Sequence, residues 1–399
     1  MPAMGLAFAV TVVSSYVPVL LGAIAGPVVV GAFIGGEGFF GLFMPTVVGG
    51  LLDRSTQAVR GRLIYIAIFG VAITGSLAAL AVLGFVDAFN LWSAGLILAV
   101  LYAAYYAYLT PYWALYTDLV PKNQSGRSRS VESTWRVTGV GGALIGGGLL
   151  LDLSPGWPFF AGAVLAAAVT LVLLGRLRAR RGEPIGQHAN ESRAQPDTTR
   201  EAIGELLRNG PIRNLFIANA LWNGALSALR AFVVLFFVVG MGTSATYVST
   251  VIFPLVAVGI IIGAPISGWL ADRIGHIGLV TATLCIYGTV IAFPGFTQAT
   301  WVVALIPVVA LSAATLMTLP ESMLMRLVPA HLHGSASGLF GLSRGIGGVI
   351  GPVSTGVAIL VLRPVLSTTH GYAAMWFVCS LTLLISIPFV LALRHDERL

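Results

Sequence analysis

Apolar runs of about 20 residues, each long enough to cross a hydrocarbon core of about 30 Å as an α-helix, follow one another along nearly the whole chain. That pattern constrains the fold more than any other feature. The runs fall at residues 4–24, 28–52, 62–86, 91–118, 130–151 and 156–175, then at 213–239, 246–271, 277–296, 300–325, 335–362 and 371–393. A water-soluble chain would need charged outer faces on such helices. Only 9% of the 399 residues are charged, against roughly 25% in soluble domains. Short alternating strands bounded by turns, the mark of a membrane barrel, are not seen. The expected fold is an all-α membrane protein of 12 transmembrane helices in two pseudo-symmetric six-helix bundles.

The net charge of +7 does not point to nucleic acid, because the basic residues sit in short loops beside apolar runs. Of the 22 Lys and Arg residues, 18 lie in one alternating set of loops, the long central linker and the C-terminal tail. The opposite loops hold Arg363, and Arg136, Arg230 and Arg344 fall inside spans. An excess of positive charge marks the cytoplasmic side, so both termini and the linker are expected there, in a cell inner membrane. The first apolar stretch, from Met4, has no preceding basic region or small-residue cleavage site and reads as the first span. Cys285 and Cys379 lie inside apolar runs and give neither a disulfide framework nor a metal cluster.

Internal repetition divides the chain. Asp118-Leu-Val-Pro, Gly126 and Arg136 recur as Arg326-Leu-Val-Pro, Gly334 and Arg344, each 208 residues on. Gly49-Gly-Leu-Leu-Asp53-Arg54 recurs as Gly268-Trp-Leu-Ala-Asp272-Arg273, 219 residues on. Residues 1–175 and 212–399 are therefore expected as two related bundles. They are joined by a cytoplasmic linker, 176–211, with one short amphipathic helix at 198–209. Parallel repeats of this kind are a plan of secondary transporters, whose sites lie near mid-membrane.

On these residues the chain resembles the major facilitator superfamily. Gly49, Asp53, Arg54, Arg60 and Arg62 match the family's G-x-x-x-D-R signature after its second helix, and Gly268, Asp272 and Arg273 match a second copy, with His276 where a basic residue is usual. The segments DRSTQAVRGRLIYI and LTPYWALYTDLVP look like those of the glycoside–pentoside–hexuronide:cation symporters and the related sucrose transporters. Asp118 matches an acid of the sucrose-type segment. Met44 and Leu109 stand where melibiose-type symporters carry acids associated with sodium and sugar binding. The resemblance implies a transporter, with Asp53, Arg54, Asp118, Asp272 and Arg273 as gating residues.

An ionisable side chain at mid-membrane depth costs at least about 2.5 kcal/mol and so asks for a partner or a function. Glu37 lies 16 residues before Asp53, about 24 Å along a helix, with no basic neighbour in its own span. It reads either as a structural hydrogen bond or as a carboxylate whose pKa burial raises into the range of proton exchange. Glu132 and Arg136 have the i, i+4 order that favours an ion pair. Arg136 and Arg344, at equivalent depth, are candidate donors to substrate hydroxyl or anionic groups, because a guanidinium offers five donors in a fixed fork. Arg230 reads as a snorkelling or gate residue. Glu321, after Pro320, is a cavity-facing or a packing acid. Proton coupling is thus placed on Glu37, Glu132 and Glu321.

Tyr105, Tyr108 and Tyr112 share one helical face and are candidates to stack on a sugar, with packing as the alternative. Asn223 is a candidate contact because a buried amide must find partners. The glycine runs around 139–148 and 345–351 let helices approach closely. No GKS or GKT follows them, so they are not phosphate loops.

The expected activity is secondary transport of a small-molecule substrate by alternating access. It is proton-coupled symport of a sugar or glycoside or, as the alternative, export of amphipathic compounds such as drugs, lipids or siderophores. The expected partners are that substrate, H+ as coupling ion and the lipid bilayer. The chain is expected to be a monomer, with no nucleic-acid partner, no cofactor and no enzymatic activity.

Overall fold

The computed structural model describes residues 2–55, 59–119, 125–178, 204, 206–329 and 332–395, without the side chains of 53–55, 116–118, 125–127, 129, 130, 333–335 and 395. The first six helices are α1 (Pro2–Gly22), α2 (Pro27–Ser55), α3 (Val59–Phe85), α4 (Leu91–Leu119), α5 (Ser125–Leu153) and α6 (Trp157–Leu177). Beyond the linker come α7 (Gly210–Leu235), α8 (Ala245–Ile274, with a π turn at Val248–Ile252) and α9 (His276–Val290). They are followed by α10 (Ile306–Leu327), α11 (His333–Leu362) and α12 (Ala374–Leu391). Among the described residues, 12 helices are long and apolar enough to cross a membrane. No span edge lies more than three residues from its expected position. The helix expected at 198–209 falls mostly outside the described residues.

Local chemistry sets several helix ends. The Asn209 side chain accepts the Ile212 N–H at 3.4 Å and starts α7, and that of Asn90 accepts the Ser93 N–H at 2.9 Å at the start of α4. Such caps satisfy amides that the first helical turn leaves free. Gly275, at φ +83°, stops α8 one residue beyond the Asp272-Arg273 pair, in a backbone region open mainly to glycine. Within α8 the Phe253 N–H reaches back five residues to Val248, immediately before Pro254, which has no N–H to offer.

The chain groups into two compact units. One holds Met1–Ala25 with Phe40–Ala194, the other Gly26–Phe39 with Gln195–Leu399. In the first, α1 packs on α5 and α6, and α3 packs on α4 and α6. In the second, α7 packs on α11 and α12, and α9 packs on α10 and α12. These four pairings are the same under a shift of six helices. Glycines make them possible: a Cβ at Gly139 would strike the Met4 backbone of α1, and one at Gly347, 208 residues on, would strike Ala220 of α7.

The second unit includes the first half of α2. Gly31 lies against Pro352, Gly35 against Val349, and Gly38 against Gly345 and Gly348. Gly356 in turn lies against Pro27 and Val28, so α2 runs antiparallel along α11. Small residues at about one-turn spacing allow this backbone-to-backbone seam.

Candidate functional site

The seam places Glu37 beside α7. Its carboxylate lies 3.8 Å from the Arg230 guanidinium, with 15% of the Glu37 side chain and 51% of the Arg230 side chain exposed. Arg230 also donates to the Ser227 hydroxyl at 3.1 Å. Sequence reading weighed the two residues separately and missed the pair. The available signal was depth: Arg230 lies 17 residues beyond Arg213 and Glu37 lies 16 before Asp53, which is about 25 Å in each case.

Ser227 and Arg230 end a polar stripe on α7 that begins at Asn219 and Asn223, with steps of four, four and three residues on one helical face. Asn219 donates to the Phe340 carbonyl at 3.2 Å and to the Ser343 hydroxyl at 2.6 Å, both on α11. Asn223, half-buried, donates to the Asn219 carbonyl at 2.8 Å and to its side-chain oxygen at 2.9 Å. Both amide hydrogens of Asn223 are thereby used, and its own side-chain oxygen accepts no bond among the described residues. Trp222 points elsewhere: it is buried and donates to Ser386 of α12 at 2.8 Å.

Arg136 on α5 and Arg344 on α11 are exposed, and neither has an ion pair or hydrogen bond among the described residues. The expected Glu132–Arg136 ion pair is therefore not formed. Glu132 is buried, at 8% exposure, whereas the Arg136 side chain is exposed. Glu321 is exposed on α10, likewise without an ion pair among the described residues.

The three tyrosines do not share an accessible face. Tyr108 is fully buried and Tyr112 is 8% exposed, with ring centroids 6.4 Å apart, inside the first unit. Tyr105 is half-buried and meets Tyr106 edge-on at 5.1 Å. The i+3/i+4 spacing put them on one stripe, but that stripe turns inward toward the bundle interior.

At the end of α8, Asp272 and Arg273 are exposed. The Arg273 guanidinium sits 4.0 Å over the Trp269 ring, a cation–π contact. The side chains of Asp53, Arg54 and Asp118 lie outside the described residues. Among the described residues no three His, Cys, Asp or Glu side chains gather in a way that could hold a metal ion.

Twelve spans among the described residues, two units with the same helix pairings, and charged groups inside the spans define a multi-pass membrane transporter of the two-bundle kind. The sequence profile of the Major Facilitator Superfamily matches residues 130–352, more than half of the chain; the chain belongs to that superfamily, whose members carry small molecules. It is 28% identical over 342 residues to the multidrug resistance protein MdtG of Citrobacter koseri, covering 83% of this chain and 76% of that one. Its fold is similar to that of the nucleoside transporter NupG, with a TM-score of 0.75 and 16% identity over 99% of this chain and 98% of NupG. It is also similar to a bacterial homologue of the human lysosomal transporter Spinster, with a TM-score of 0.79 and 15% identity over 98% of this chain and 94% of that one.

Proposed function

We propose that this transporter exports amphipathic compounds in exchange for protons, with Glu37 as the proton-exchanging carboxylate. The observation that carries this reading is the Glu37–Arg230 pair. It is partly exposed and set deep within the spans of α2 and α7. Ionised, the carboxylate pairs with Arg230; on taking up a proton it releases the guanidinium, which keeps its bond to Ser227. Switching between the two forms changes the tie between α2 and α7, which links proton binding to conformation. The likeness to MdtG supports the choice of amphipathic solutes. The test is efflux from proteoliposomes under an imposed pH gradient. Wild-type protein should move amphipathic dyes in a gradient-dependent way, and Glu37→Gln should remove that dependence. Gradient-driven efflux unchanged in Glu37→Gln would refute the role of Glu37.

Proton-coupled glycoside symport is the second reading. It draws on the segment from Leu109 to Pro121 and on Tyr105, which stays partly exposed. Burial of Tyr108 and Tyr112 takes two rings from the sugar platform that this reading uses. Sugar accumulation in the same vesicles, with no dye efflux, would favour it over export. We assign solute contacts to Tyr105, Asn223, Arg136 and Arg344, proton exchange also to Glu321, and a linker-side gate to Asp272 and Arg273 with their first-half counterparts.

A further inference from the structure

Arg344 sits on α11 where the seam with α2 and the contact with α7 diverge. At about 100° per residue, the positions facing α7 (Ser343, Gly347, Gly351) and those facing α2 (Gly348, Pro352, Gly345) flank it on either side. The exposed apolar residues Leu342, Ile346 and Ile350 lie about 120–160° around the helix. The guanidinium is therefore on the side of α11 away from its exposed apolar face, between the positions that meet α2 and those that meet α7, and it is exposed there. It starts 11 residues into α11, about 16 Å along the axis, and has no acidic partner among the described residues. The charged side chains described near this position on α2, α7 and α11 are Glu37, Arg230 and Arg344. Glu37 is taken by Arg230, which leaves one positive charge uncompensated. Glu321, on α10, makes no ion pair with Arg344. Arg136 repeats the arrangement in the first unit: it is 11 residues into α5, exposed and unpaired. Ile145 and Leu149, exposed on the same helix, lie about 140–180° around from it.

We infer that Arg344 is an anion-recognition residue of the solute site, and that the solute is an amphipathic anion with a carboxylate, phosphate or sulfonate head group. This inference rests on the export reading for its amphipathic part and on the unpaired guanidinium for its anionic part. A guanidinium grips such a head group with two parallel N–H donors, and the free side-chain oxygen of Asn223 accepts from a hydroxyl or amide elsewhere on the solute. An unpaired guanidinium inside the spans selects against a cationic solute by like-charge repulsion.

Three probes with one ring system separate the outcomes: pyrenesulfonate, a pyrenylmethyl trimethylammonium salt and pyrenemethanol. Binding in nanodiscs is read by energy transfer from protein tryptophan, and efflux is read from proteoliposomes. Wild type should bind and move pyrenesulfonate in preference to the cation. Arg344→Gln should weaken pyrenesulfonate binding at least about tenfold and leave pyrenemethanol unchanged, and Arg344→Lys should lose part of that affinity because it keeps charge without the fork. Equal binding of anion and cation by wild type, or equal weakening of all three probes in both variants, would overturn the inference while leaving export intact. Pyrenesulfonate binding that depends on Arg344 without efflux of any probe would uphold the anion site and remove the export reading.

Discussion

At the scale of single residues, polar atoms inside this chain fall into two groups with opposite consequences for mutation. Asn219 satisfies its amide on the Phe340 carbonyl and the Ser343 hydroxyl and also receives Asn223. Interhelical hydrogen bonds in membranes average about 0.6 kcal/mol and reach about 1.7 kcal/mol. Asn219→Leu removes both bonds to α11 and one of the two that Asn223 makes, so it should cost about 1–2 kcal/mol, read as a lower unfolding midpoint in detergent. Thr355 is the contrary case: its hydroxyl is completely buried and has no hydrogen-bond partner among the described residues. Thr355→Val keeps the shape and deletes the unsatisfied group, so it should be neutral or stabilising by up to about 1 kcal/mol in the same assay. The Asn219 and Asn223 network was partly readable from sequence, since a buried amide demands partners. Which carbonyl and which hydroxyl would answer was not readable, because they lie 121 and 124 residues away.

At the scale of helices, glycine on α11 sets how close α7 and α2 can come. A Cβ at Gly347 would run into the Ala220 carbonyl and the Gly224 backbone, whereas one at Gly341 would meet nothing within 4 Å. Gly347→Ala should therefore force α11 off α7 and cost about 1–3 kcal/mol, the usual range for overpacking. Gly341→Ala should be neutral or stabilising by up to about 1 kcal/mol through helix propensity. Thermal melts of the two variants side by side check this, and equal melting points would contradict the packing assignment. The glycine run itself announced close approach. Sequence alone does not distinguish Gly347 from Gly341, since both are glycines in one apolar helix and only the neighbour's position separates them.

At the scale of the whole molecule, the first half of α2 groups with the second compact unit, although the linker follows α6. A fragment covering residues 195–399 would leave Gly345, Val349 and Pro352 of α11 without the α2 glycines that cover them. Expressed alone, that fragment should be degraded or melt earlier than when co-expressed with residues 1–194, as followed by immunoblot and by thermal unfolding of the purified material. Equal yield and stability of the lone fragment would show that α2 adds nothing to this unit.

The sequence by itself determined the number of spans and their edges, because a bilayer of fixed thickness demands about 20 apolar residues per crossing whatever the neighbours are. It also determined the repeat, since Arg136 and Arg344 keep one offset and fall at one depth. Only the tertiary structure decided what each inward side chain meets. Glu37 found Arg230 on α7, Glu132 did not take the Arg136 that its spacing offered, and Tyr108 and Tyr112 turned into the interior while Arg344 stayed unpaired. The reason is that helical periodicity fixes a residue's height and angle on its own helix. Its partners are fixed by which helices pack together and how near their glycines let them come.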